Sequence, residues 1–272
     1  LIDVVDEVSK LKIPDDFIEQ RPVLEPVAAG FLAVANGGND RDISIVIDVG
    51  AGTTDTAAFF SRPAFRRDES GAALPVGSPQ STPWAGDFLD SVLIGIIERQ
   101  LGEDWSSNIK YQRESRGRVR EWKETLFTSR AGVVKPTFVD GKVCSAIGKD
   151  QLVTDKRMHE FVHKIRSALD SLFPKKAIAE TSDIEHVLKG IHAFDSINVV
   201  FAGGGSNLPI LESIIMSPII VDEKKLSLVR RAMVPAKVFD DSVQFEARYP
   251  QLAVAMGGAS SCLLYTSPSP RD

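Results

Sequence analysis

The chain has little cysteine: only Cys144 and Cys262 among 272 residues. A framework of disulfides cannot be built from two thiols, and this usage fits a reducing, cytoplasmic setting with Cys144 as a buried thiol. No apolar run reaches the length of a membrane span, so no membrane partner is expected. Positive charge is not in excess either. Lys and Arg number 32 against 37 Asp and Glu, and the net charge of −5 leaves no electrostatic footprint for nucleic acid. The local basic run from Arg113 to Arg120 is interrupted by Glu114 and followed by Glu121, as on a solvated helix face. Histidine is scarce, at four residues. His159 and His163 stand one helical turn apart, but no third ligand accompanies them, so a zinc centre is not expected. Ser206 lacks a His/Asp partner arrangement, which argues against nucleophilic catalysis. The remaining composition, 43% hydrophobic and 25% charged, is that of a globular protein able to bury a proper core in one or two units.

The most informative stretch is Asp48-Val49-Gly50-Ala51-Gly52-Thr53-Thr54-Asp55, directly after the apolar run Ile43–Ile47. Glycines let backbone N–H groups approach an anion closely, and the threonines add hydroxyl donors. Carboxylates beside a polyphosphate repel it unless a hard cation, most plausibly Mg²⁺, lies between them. No lysine follows the glycines as in a P-loop, and no third glycine opens a helix as in a dinucleotide fold. Thr56 to Phe60 instead favours a strand, so the segment predicts a hairpin whose tip grips phosphate. An ordinary hairpin with a glycine turn is the alternative.

A second glycine turn follows the apolar run Ile197–Ala202. Gly203-Gly204-Gly205-Ser206-Asn207 leads into Leu208-Pro209, which predicts strand, triple glycine and helix, with Pro209 in the first turn. Three consecutive glycines mark a close approach to the chain. Either a nucleoside or sugar face approaches, or a helix packs tightly on a strand.

The two turns resemble motifs of the actin and heat-shock-chaperone ATPase superfamily. The first is similar to its second phosphate motif, the second to its adenosine motif. Glu25-Pro26-Val27-Ala28-Ala29-Gly30 resembles the segment that crosses between the two lobes in DnaK-type chaperones. Tyr249–Ala259 resembles the later crossing helix, and Ala85-Gly86-Asp87-Phe88-Leu89-Asp90 resembles the run that opens the family's insertion subdomain. Together the matches cover about residues 20–260, in the family's order.

The resemblance implies an α/β fold, a ribonuclease-H-like (actin-like ATPase) lobe with a mixed sheet flanked by helices and a small α+β insertion. It implies ATP or ADP with Mg²⁺ as ligands. Asp48 would hold the metal through water, with Asp55 a second acid in the same water network. Gly50, Ala51, Gly52, Thr53 and Thr54 would cradle the phosphates, Ala51 standing where the family has glycine. Glu25, Asp48 and Thr53 would serve catalysis, Glu25 by polarising the metal shell or the attacking water. Gly86, Gly203, Gly204, Gly205, Ser206 and Asn207 would line the nucleotide. The base-gripping helix maps onto Arg120, Glu121, Lys123, Glu124 and Phe127. Lys123 is retained, but Glu124 and Asn207 replace the family's arginines, and Phe127 replaces its serine. The base is then held differently, by Phe127 or Trp122, or held loosely. Partners implied are nucleotide, a co-chaperone or exchange factor, and the missing first lobe of the same chain. The expected activity is ATP hydrolysis in the parent protein, little of it without that lobe. An actin-like filament former, a sugar- or acetate-kinase-like phosphotransferase, and a degenerate member that binds partners without hydrolysis remain alternatives.

The expected division follows. Residues 1–35 are read as the end of the first lobe and the crossing segment, 36–85 with 157–261 as the core of the second, and 86–156 as the insertion. The absence of a first phosphate hairpin before residue 43 gives the expectation of a fragment. Residues 262–272 read as a non-native tail, with a natural Ser/Pro-rich linker as the competing reading. Helices are expected over 86–100, 108–129, 155–173 and 181–193, and a hairpin turning at Asp140-Gly141. Residues 61–81 are read as a mobile hairpin end or loop. Residues 217–248 are read as an irregular connection with an edge strand at Val234–Phe239.

Overall fold

The structure, a computed structural model, describes residues 42–62, 72–173, 191 and 193–231. Strand β1, Asp42–Val49, is its axis. Ile43, Ile45, Val46, Ile47 and Val49 are all fully buried, and Ser44 nearly so. Burial on both faces is why this strand reads as a continuous apolar run rather than an alternating one. β2, Thr54–Arg62, turns back antiparallel to β1, and β3, Ala72–Thr82, pairs antiparallel with β2.

A long helical excursion follows. α1 spans Gly86–Leu101, α2 Glu103–Ser107 and α3 Ile109–Thr128. The short strands β4, Val133–Val134, and β5, Ile147–Gly148, pair antiparallel. α4, Lys149–Val153, and α5, Lys156–Asp170, return the chain to the sheet. There β6, Ser196–Ala202, lies parallel to β1. A short α6, Leu211–Ile215, precedes the hairpin of β7, Ile219–Val221, and β8, Lys224–Arg230, and β8 lies parallel to β6. The strand order is β3-β2-β1-β6-β8-β7, a mixed sheet in an α/β fold.

The helices follow their apolar periodicity. α1 buries Leu89, Val92, Leu93, Ile96 and Ile97, and α5 buries Met158, Phe161, Ile165 and Leu169. α3 is capped by Asn108, whose side chain accepts from the Lys110 N–H at 3.0 Å. It buries Val119, Trp122 and Leu126. Their contacts are continuous with the core beneath the sheet, so residues 86–156 share one apolar interior with the strands. The expected hairpin about Asp140-Gly141 is present as a bridge between Thr137 and Val143 beyond the β4–β5 ladder. The Tyr111 hydroxyl fastens its turn to α3 by donating to Asp140 Oδ2 at 2.8 Å. Cys144 is buried, and burial pushes its thiol up.

Two readings are corrected. Residues 72–81 are not loop but most of β3, an edge strand where the missing N–H groups of Pro75 and Pro79 are tolerated. Gly77, at φ 71°, sits where the ladder with β2 shifts register. A methyl group there would fall 2.0 Å from the Leu172 carbonyl oxygen, so the glycine admits the end of the α5 segment. Second, residues 219–230 are a regular hairpin, turning through Asp222 and Glu223 at φ 46° and 70°. Most of the helix expected over 181–193, the Val234–Phe239 strand, residues 1–35, Cys262 and the 262–272 tail lie outside the described residues. Among the described residues no helix is long and apolar enough to cross a membrane.

The junction of α1 and α5 rests on one carboxylate. Asp155 caps α5 by accepting from the Arg157 N–H at 3.1 Å, and it pairs with the guanidinium of Arg157 and, at 2.6 Å, with that of Arg99. Arg157 in turn donates to the Ser91 and Val92 carbonyls of α1, over the space left by Gly95. Hydrogen bonding from Arg157, first through its side chain, outweighs desolvation and holds the Asp155 carboxyl well below its ordinary 3.8. The stabilisation is therefore fully present above that ordinary value and is lost as pH falls through the lower folded value. Asp155→Asn is expected to cost about 2 kcal/mol at pH 7 by urea unfolding. The gap between variant and wild type should narrow below about pH 4, as the unfolded-state carboxyl titrates.

Candidate functional site

β1 and β6 are parallel neighbours that end level, with Asp48 opposite Ala202. Each strand gives way at once to its glycine turn. Two segments far apart in sequence therefore meet at the carboxyl edge of the sheet, where open α/β sheets place their ligands.

The first turn is a tip of four residues, Gly50–Thr53, closed by the pairing of Val49 with Thr54 and by a hydrogen bond from Gly50 N–H to the Thr53 carbonyl at 2.9 Å. Ala51, Gly52 and Thr53 are exposed. The start of α1 holds the tip in place. Gly86 N–H donates to the Gly50 carbonyl at 3.0 Å and Asp87 N–H to the Ala51 carbonyl at 2.7 Å. A methyl group on Gly86 would lie 3.0 Å from the Ala51 oxygen, so glycine sets how closely the helix end approaches. Thr54 faces inward: it is fully buried, and its hydroxyl donates to the Trp84 carbonyl at 2.6 Å.

The second turn packs on the first. Gly203 adopts φ 77°, and a methyl group there would lie 2.2 Å from Asp48 Oδ1 and 2.5 Å from the Val49 carbonyl oxygen. Gly205 N–H donates to that same oxygen at 3.0 Å, and a methyl group at Gly205 would strike the Val49 side chain at 2.4 Å. At two of the three glycines, then, the close approach is to the protein's own β1 terminus. Gly204 differs. It is exposed, with nothing within 4 Å of a methyl group built on it. Ser206 is buried and Asn207 exposed. The helix expected from Pro209 is regular only from Leu211, after a run of tight turns.

Asp48 and Asp55 stand directly opposite in the β1–β2 ladder and so project from the same face of the sheet. Asp48 is 5% exposed. Asp55 is half-buried and accepts from the Thr53 hydroxyl at 2.8 Å. Like charges in directly opposed positions destabilise a sheet unless something between them is positive. A third acid, Asp87, places Oδ2 3.8 Å from the position of a Gly52 methyl group. The sequence reading did not single it out. Its signal was its place in the first turn of a helix, where an acid is favoured.

α3 contributes unevenly. Lys123 Nζ donates to the Gly86 carbonyl at 2.9 Å and lies 2.7 Å from Asp90 Oδ1. Arg120 and Glu124 form an exposed pair at 3.2 Å, and Glu121 pairs with Arg118. Such pairs cost little to open. Phe127 is half-buried, with Lys149 Nζ 5.7 Å from its ring centre. Trp122 is corrected as a base platform. It is 3% exposed, edge-on to Phe138 and beneath the Arg118 guanidinium, so its faces are spent in the core. Its heptad-like spacing with Val119 and Leu126 carried that signal. Glu25 and Tyr249–Ala259 lie outside the described residues. His159 and His163 are exposed on α5, and no cluster of three or more metal-ligating side chains occurs among the described residues.

No protein-family model matches the chain, and no curated protein matches it.

Gly203 and Gly204 should separate on substitution. Gly203→Ala meets both an unfavourable φ and a backbone collision and is expected to cost at least about 2 kcal/mol in urea unfolding. Gly204→Ala enters open space and should stay within about 0.5 kcal/mol of wild type. Equal costs at the two positions would contradict the packing described.

Proposed function

We propose that the chain binds a magnesium-complexed adenine nucleotide at the carboxyl edge of β1 and β6, as the second lobe of a divergent DnaK-like ATPase of the actin and heat-shock-chaperone superfamily. The observation that carries this reading is the contact between the two glycine turns, with Gly203 and Gly205 packed on Asp48 and Val49. A phosphate hairpin and an adenosine bend can serve one ligand only if they open on one cleft. The sheet adds support. A meander of three antiparallel strands, followed after a helical crossover by strands parallel to β1, is mixed as a ribonuclease-H-like lobe requires.

The residues fit the group. In this reading the exposed tip, Ala51 to Thr53, offers backbone N–H groups and the Thr53 hydroxyl to the β- and γ-phosphates. Asp48 and Asp55, opposed on one face, hold hydrated Mg²⁺, which when bound supplies charge neutralisation of the phosphates. Two carboxylates, water and phosphate oxygens are a sufficient set for Mg²⁺, which seldom takes an all-protein cage. Thr54 acts through the fold, fixing the tip to the Trp84 segment. Gly204 and Asn207 present an open face to the nucleoside. Arg120, Glu121, Glu124 and Phe127 line the approach from α3, their surface pairs opening at little cost. Glu25 orients the attacking water, and hydrolysis draws on the first lobe as well. A reducing, cytoplasmic location accords with the cysteine usage.

One observation favours a second reading, a degenerate member that binds partners and hydrolyses nothing. Glu124, at the position of a base-stacking arginine, is already paired with Arg120. Loss of that stack removes about 1–2 kcal/mol from base binding.

Isothermal titration of the chain with Mg-ATP is the test. Heat of binding is expected at high-micromolar protein, and Asp48→Asn should weaken Mg-dependent affinity at least about tenfold, or 1.4 kcal/mol. EDTA should bring wild type toward the variant. Absence of binding by wild type contradicts the proposal.

A further inference from the structure

Lys123 lies at the nucleotide-binding edge proposed above, yet its ammonium group is engaged with protein. It donates to the Gly86 carbonyl at 2.9 Å and pairs with Asp90 Oδ1 at 2.7 Å, and both side chains are largely buried, at 17% and 18% exposure. The Gly86 peptide is the first of α1. Its own N–H holds the Gly50 carbonyl, and the next N–H, of Asp87, holds the Ala51 carbonyl. An unbroken hydrogen-bonded path thus runs from α3 through Lys123 and the start of α1 to the exposed hairpin tip. A charged donor on the Gly86 carbonyl makes the strongest link in that path. It also polarises the Gly86 N-terminal peptides that grip the tip.

We propose that Lys123, oriented by Asp90, is a positioning residue that fixes the phosphate-facing tip and couples its geometry to α3, rather than a residue that touches the nucleoside. The inference deepens the proposed function and rests on it for the ligand, but not for the mechanical link. Four features support it. Lys123, alone of the α3 candidates in the hydrogen bonds and ion pairs described, bonds to α1. Asp90 and Lys123 come from different helices and close on each other. Gly86 leaves no room for the tip to shift, since a methyl group there would already contact the Gly50 and Ala51 carbonyl oxygens at 3.1 and 3.0 Å. And Ala51, Gly52 and Thr53 of the tip are exposed, so beyond the tip's own turn hydrogen bond these carbonyl contacts are what hold it. Phosphate binding by loop amides demands that order in advance, because a wandering loop gives back binding energy as entropy.

The test compares wild type with Lys123→Met, Lys123→Arg and Asp90→Asn by amide hydrogen exchange and by titration with Mg-ATP and with adenosine. In Lys123→Met and Asp90→Asn, the Gly86 and Asp87 amides should exchange about tenfold faster, while amides in the middle of α5 keep their wild-type rates. Affinity for Mg-ATP should fall about five- to tenfold, adenosine affinity should change less than about twofold, and Lys123→Arg should recover most of the loss. Unchanged exchange at Gly86 and Asp87 overturns the inference. So does a loss of adenosine affinity as large as that for Mg-ATP, which would make Lys123 a direct nucleoside contact. If wild type binds neither ligand, the nucleotide reading fails, and the exchange rates alone decide whether Lys123 fixes the tip.

Discussion

The structure depends on one steric fact: the bend after β6 and the carboxyl end of β1 occupy adjoining space that only glycine leaves free. Parallel pairing brings Asp48 level with Ala202, and just beyond these residues both chains must turn. Gly203 clears the Asp48 carboxylate and the Val49 carbonyl, and Gly205 clears the Val49 side chain and returns a hydrogen bond to the same carbonyl. The carboxylate is thereby buried at the floor of the junction, while Gly204 is left facing outward. Two of the three glycines serve the packing of the protein, and one is left over for whatever approaches.

The same economy governs the other wall. α1 is a long helix whose N-terminal N–H groups could themselves attract an anion. Its first two are instead spent on the carbonyls of the hairpin tip. The positive end of the helix dipole thus acts on the tip at one remove, fixing its carbonyls and favouring the acid at Asp87. Lys123 completes the arrangement from α3, and the Asp155 network with Arg99 and Arg157 fixes α1 from its far side, against α5. The site is therefore built where the sheet, the excursion helices and the second turn all share contacts, in one continuous core.

What could be read in the sequence was what has a local cause. β1 declared itself by an apolar run, α1 and α5 by their 3.6-residue periodicity, and α3 as a long polar helix, while its cap at Asn108 is a structural finding. The two glycine turns were visible as turns, but not their contact, which depends on the register of β1 with β6. β3 was obscured because Pro75, Gly77 and Pro79 break a strand pattern, and only its edge position makes them harmless. The β7–β8 hairpin was obscured because Asp222-Glu223 takes a left-handed turn usually signalled by Asn-Gly. Trp122 misled because an aromatic on a polar helix reads the same whether it faces a ligand or Phe138. The inward commitment of Thr54 and the tie from Lys123 to Gly86 are tertiary facts with no local trace.

The central claim is that one ligand spans both glycine turns. Amide chemical shifts recorded on the chain with and without Mg-ADP test it most directly. The account predicts simultaneous, saturable shifts at the Gly50–Thr53 tip and at Gly204–Asn207, with a common dissociation constant. Shifts confined to one turn, or saturating at different concentrations in the two, would contradict it.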